Sequence, residues 1–151
     1  MKAYFGVYVV LLAANLFSSS ARAAETKIAM QDLPIAVQNA VREQSKGATI
    51  RGFTKEVENG ATEYEAELTV NGHGKDVSFD PAGHLVSVEE EVKLENLPAA
   101  ARAAIQKAAQ GGTLRKVEAV TEQGKSFYEA DIRKGGKSSE FQVDSNGARV
   151  H

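Results

Sequence analysis

Few side chains in this chain could carry chemistry. There are three histidines, His73, His84 and His151, and no cysteine. Nucleophilic catalysis needs a Ser or Cys whose base and orienting acid converge on one pocket. Cysteine chemistry is excluded, and the histidines stand in or beside turns or at the last position, so no catalytic residue is expected. His73, Asp76, Asp80 and His84 lie close together and could offer two or three nitrogen and oxygen ligands. Asp144-Ser145-Asn146-Gly147 has the opening residues of a calcium loop but none of the later ligands of an EF-hand, so it reads as a turn. The expectation is no metal centre and no cofactor.

The acidic residues are better organised. Glu63, Glu65 and Glu67 alternate along one strand face, as a patch for a basic partner, as a row paired across strands with Lys55 and Lys75, or as a solvated sheet face. Glu89-Glu90-Glu91 reads as a solvated strand end. Further on, Tyr128, Ala130 and Ile132 should face a helix, which sends Phe127, Glu129, Asp131 and Arg133 to the opposite face. An exposed aromatic beside Arg has the composition of a protein-binding hot spot. Two uses of Phe127 remain open: docking a partner, or sealing a groove between two lobes. The candidate partner-binding set is therefore Phe127, Glu129, Asp131, Arg133, Glu63, Glu65 and Glu67. Tyr64, Tyr128, Arg51 and Arg115 read as structural, each Arg bonding the C-terminal carbonyls of its own helix.

These residues are positioned by a unit written twice. A shift of 64 positions lays Leu33-Pro34 on Leu97-Pro98, Gly47 on Gly111, Gly60 on Gly124, Tyr64-Glu65-Ala66 on Tyr128-Glu129-Ala130, and Asp80 with Gly83 on Asp144 with Gly147. Each copy opens with a helix, capped by Asp32 or Asn96 and closed by Gly47 or Gly111. Leu33, Val37, Ala40 and Val41 form one apolar stripe at helical spacing; Leu97, Ala101, Ala104, Ile105 and Ala108 form the other. The period then changes to two. Strands are predicted from Ile50 to Glu58, across Tyr64 to Val70, around Val77 and Phe79, and at Leu85 to Val88, with Asn59-Gly60 and Asn71-Gly72 as hairpin turns. The second copy predicts Leu114 to Thr121, Phe127 to Lys134, Glu140 to Asp144 and a closing strand at Ala148 to His151. The expected fold is α+β: two tandem repeats, each one helix packed on a four-stranded antiparallel meander.

The chain opens with an export signal. Lys2 precedes an apolar run from Phe5 to Phe17, followed by Ala21-Arg22-Ala23 as the small-residue cleavage site. The run is shorter than the ~20 residues a spanning helix needs. The expected organisation is 1–23 signal peptide, 24–91 first repeat and 92–151 second repeat, in the periplasm or outside the cell, with no membrane span after cleavage. Cleavage removes Lys2 and Arg22 and no acid, moving the formal charge from −2 to −4. That weak acidity argues against nucleic-acid binding, which needs clustered Lys and Arg. Without disulfides each unit depends on its apolar core, and a unit of about 60 residues buries only ~60% of its unfolded surface. Packing of the two copies together is therefore expected.

The Leu-Pro helix opening, the meander, the Tyr-Glu-Ala-acid strands (Tyr64 to Glu67, Tyr128 to Asp131) and the Asp-x-x-Gly turns resemble the PepSY-like family, whose tandem form is similar in fold to the beta-lactamase inhibitory protein. The resemblance covers essentially the whole mature chain. It implies a secreted, non-catalytic module that grips another exported protein with an open sheet face, in a family associated with propeptides and peptidase inhibition. The inhibitory protein carries disulfides that this chain lacks, so the resemblance implies no beta-lactamase target. The functional expectation is an exported protein-binding module, peptidase- or hydrolase-inhibitor-like. The alternative is a periplasmic small-ligand or metal-responsive protein using the His73/His84 end or the inter-lobe cleft.

Overall fold

The computed structural model describes residues 25–58 and 60–150; the export signal lies outside the described residues. Each helix begins later than its predicted cap. Met30–Asp32 and Leu94–Asn96 form short 3-10 turns, and the helices α1 (Ile35–Gln44) and α2 (Ala99–Ala108) start only after Pro34 and Pro98. The reason is the proline: the residue before it is pushed out of the α region, and Leu33 and Leu97 are extended at ψ 147° and 153°. Asp32 therefore caps the preceding turn, its Oδ2 accepting from Ala29 N–H at 3.4 Å.

Among the described residues, eight strands follow one another across a single antiparallel sheet in chain order: β1 (Thr26–Ile28), β2 (Thr49–Glu58), β3 (Ala61–Val70), β4 (His73–Phe79), β5 (Leu85–Glu91), β6 (Thr113–Glu122), β7 (Lys125–Lys134) and β8 (Lys137–Val143). The order of turn, helix and three strands recurs with identical lengths in both halves. Both halves carry a bulge at the same place, between Ile50 and Gly52 and between Leu114 and Lys116.

Two expectations change here. The four-stranded meanders are not separate sheets, because β5 pairs with β6 from Ser87↔Glu122 to Glu91↔Glu118. Glu89-Glu90-Glu91, read as a solvated strand end, is half of that seam. The second half also contributes three strands rather than four. Its predicted closing strand makes only the isolated bridge Val143↔Arg149 among the described residues.

Both helices lie on one face of the sheet. Leu33, Val37 and Val41 pack with Phe53, Ala66, Leu68, Val77 and Phe79, and Leu97, Ala101 and Ile105 pack with Val117, Ala130, Ile132 and Val143. Tyr64 and Tyr128 sit against these clusters from their strands. Alternation then assigns every intervening strand residue to the other face, which neither α1 nor α2 covers.

Candidate functional site

The uncovered face is built of rungs running across the strands. One rung links Gly52, Glu67, Asp76, Glu89, Val120 and Phe127, each paired with the next on the adjacent strand. Beside it Glu91, Glu118, Glu129 and Gln142 form a second rung from β5 to β8. Acids thus meet acids across neighbouring strands, where like charges directly opposite destabilise a sheet.

Two cations from the bulge positions answer part of this charge. Arg51 donates to Leu68 O at 3.1 Å and to Asp76 Oδ1 at 2.9 Å, with Glu67 3.8 Å away. Lys116 Nζ lies 2.8 Å from Glu118 Oε1. Between them, carboxylate oxygens of Glu89, Glu118 and Glu129 come within 4.8 Å of one another. Glu118 is only 3% exposed.

This crowding is visible in the acidities. Burial, then the charge of Asp76, Glu25 and Glu67, pushes Glu65 up to about 7. Burial, then Glu118, Glu129 and Glu65, pushes Glu89 up to about 8. Glu118 and Glu129 are raised by burial despite the opposing hydrogen bonds from Lys116 and Gln142. Asp76 is raised by burial against the pull of Arg51. Burial works against the Lys116 ammonium, but Glu118, Asp76 and Glu89 outweigh it and raise its pKa.

The sequence-derived candidates fall as follows. Glu63, Glu65, Glu67, Glu129 and Asp131 stand on the uncovered face, half-buried, and Arg133 stands there exposed. Phe127 occupies the expected face but is only 5% exposed, opposite Val120 at 4%. The exposed aromatic is therefore corrected: Phe127 is a packed residue, not an open anchor. The acidic row is not neutralised by Lys55 and Lys75 as one reading had it. Lys75 pairs with Glu90 at 2.8 Å, and Lys55 lies opposite Tyr64 in the register of the helix-covered face.

Arg51 does not reach its helix carbonyls; in the second half it is Lys134 that donates to Gln110 O at the end of α2, at 2.8 Å. Arg115 instead lines an open groove of about 270 Å³ with His73, Glu91, Lys93, Leu94 and Leu114 at the end of the seam. The histidines and aspartates of the first half do not converge. His84 is tied to Asp80 in an exposed turn, while Asp76 is held by Arg51 on the sheet. Sequence reasoning missed Glu89, Glu118, Asp76 and Lys116 as members of one cluster. Their face was readable from alternation, but their meeting depends on the β5–β6 pairing.

The fold and this face define an α+β protein with both helices on one side of a continuous sheet and an acidic surface on the other. The chain belongs to the family described as "Putative beta-lactamase-inhibitor-like, PepSY-like", whose model matches residues 17–86 and again 62–150. Among solved structures it is similar to a "putative periplasmic protein" of Bacteroides eggerthii, at 20% identity and TM-score 0.63, over 79% of this chain and 86% of that one. It is similar to a BLIP-like protein of Bacteroides fragilis at 22% identity and TM-score 0.56, over 77% and 82% of the two chains. A DUF2874 family protein of Bacteroides uniformis matches at 19% identity and TM-score 0.62, over 78% and 86%. No curated protein sequence matches the chain. Among the described residues, no helix is long and apolar enough to cross a membrane.

Proposed function

We propose that this chain is an exported, non-catalytic binding module that receives a cationic segment of another exported protein on its acidic sheet face. The carrying observation is the pairing of Glu67, Asp76 and Glu89 on one rung and Glu91, Glu118 and Glu129 on the next, answered from the same face by Arg51 and Lys116. A surface of one sign raises the association rate with an oppositely charged partner and rejects like-charged ones. The inhibitor-like family supports a binding role, and the apolar leader ending at Ala23 supports export. Glu63, Glu65, Glu67, Glu129, Asp131 and Arg133 remain in the proposed contact set; Phe127 supports the face from within.

The test is capture of exported proteins at low salt by the immobilised chain from Ala24, with elution by a lysine-rich peptide. A triple variant, Glu63→Lys, Glu67→Lys and Asp131→Lys, should lose the peptide-elutable partner, while the corresponding Gln variant melts like the unmodified chain. Capture that survives both the triple variant and the peptide overturns the assignment of this face.

A further inference from the structure

The seam between the halves is where the face is most crowded. Glu89 on β5, Glu118 on β6 and Glu129 on β7 bring three carboxylates within 4.8 Å of one another, and β5–β6 is, among the described residues, the strand pair that joins the first half to the second. The neighbouring strands add charge of the same sign. β4 presents Asp76 directly opposite Glu89, and β3 presents Glu65 and Glu67. β5 adds Glu91, whose Oε2 accepts from Gly74 N–H at 3.2 Å. β7 adds Asp131, and β8 adds Glu140 beside the neutral Gln142. Against them stand Arg51 from β2, engaged with Asp76 and Glu67, and Lys116 from β6, engaged with Glu118, with Lys27 of β1 and Lys125 and Arg133 of β7 elsewhere on the same face. Among the described residues Glu89 accepts no hydrogen bond and forms no ion pair. One ammonium serves three carboxylates, so the chain must neutralise the remainder in another way.

We propose that the seam is a proton-gated element: the Glu89–Glu118–Glu129 cluster retains a proton at neutral pH, and losing it loosens the β5–β6 pairing. A shared proton turns one carboxylate into a hydrogen-bond donor toward another, removing a repulsion and adding a bond across the seam. The rise of Glu89 to about 8, with Glu118 and Glu129 raised beside it, agrees with this geometry. The sign follows from linkage. In the unfolded chain these residues ionise at the ordinary glutamate value, whereas the folded cluster holds its proton to higher pH. The stabilisation is full below the ordinary value, declines as pH rises above it, and is gone once pH passes the folded value near 8. No partner is needed for this behaviour, so it stands or falls apart from the binding reading.

The experiment follows thermal unfolding of the chain from Ala24 between about pH 5 and about pH 9, beside Glu89→Gln, with side-chain carboxyl NMR of the unmodified protein. The melting temperature of the unmodified chain should fall steadily across that range. Glu89→Gln should flatten the fall and melt higher at the alkaline end. The Glu89 carboxyl should titrate above neutrality, and amide exchange along β5–β6 should accelerate between about pH 6.5 and about pH 8.5 relative to β2–β3 in the unmodified chain only. A Glu89 midpoint below about 5.5, or parallel melting profiles for the two proteins, overturns the proposal. Should the variant fail to fold, the NMR titration decides alone.

Discussion

At Phe127 the strand register and the burial point to different uses of one aromatic. Alternation from Tyr128, Ala130 and Ile132 places it on the uncovered face, and the structure agrees; its 5% exposure removes it as an open anchor. The sequence leaves this unsettled because burial on a helix-free face depends on what neighbouring strands contribute, here Val120 from β6. The counterpart Glu63 gave a hint, since the two halves place opposite chemistries at one position. Truncating a buried Phe removes its transfer energy and leaves a cavity. Phe127→Ala should therefore lower the unfolding free energy by about 3–5 kcal/mol in denaturant titration. A loss within about 0.5 kcal/mol, as expected of a surface site, would return Phe127 to the docking role. The acids behave differently: Glu89 and Glu118 looked like ordinary strand carboxylates because their environment is set by register, not by their neighbours in sequence.

Among the elements, helices, hairpins and tight turns were legible because their determinants are local. Gly60 and Gly124 take φ of +82° and +79° in hairpin turns, and the stripes Leu33–Val37–Val41 and Leu97–Ala101–Ile105 are the buried helix faces. Helix starts were misplaced by two residues because Pro34 and Pro98 were weighed as first-turn residues, while their effect on the preceding Leu governs the boundary. The Asp-x-x-Gly turns have a further role that sequence does not reveal: they lean on the helix starts. A Cβ at Gly83 would stand 2.7 Å from Ala36 O, and one at Gly147 would stand 2.6 Å from Ala100 O. Gly124 has the same left-handed backbone but nothing within 4 Å of such a Cβ. Comparing the two separates conformational strain from turn-to-helix contact. Gly124→Ala should cost about 1–2 kcal/mol, the strain of an L side chain at positive φ. Gly147→Ala carries that strain plus a backbone collision, and should cost about 3 kcal/mol or more. Equal losses in denaturant titration would show that the turn can move away from α2.

For the whole molecule, one continuous sheet gives the chain two unlike surfaces, a helix-covered apolar side and an acidic side. The repeated unit was legible in sequence; the joining of its two meanders was not, since strand pairing between distant segments leaves no compositional trace. The formal charge of −2 understates the result, because acids collect on one face while Lys46, Lys55 and Lys107 lie elsewhere. Self-repulsion of such a face opposes the folded state, and salt relieves it. The screening length is ~30 Å at 0.01 M and ~10 Å at 0.1 M, so added salt weakens repulsion along the rungs before it weakens the short Arg51–Asp76 and Lys116–Glu118 contacts. The melting temperature at about pH 8 should therefore rise with sodium chloride from roughly 20 mM to roughly 300 mM. At about pH 5 the rise should be smaller, because Glu65 and Glu89 then hold their protons and carry little charge to screen. The same salt should weaken capture of a cationic partner, whose attraction is screened alongside the self-repulsion. These opposite signs on one protein tie the acidic face to both effects. A melting temperature that falls with salt at pH 8 would mean that the ion pairs of Arg51 and Lys116 outweigh the repulsion, and the face would lose its standing as a source of strain.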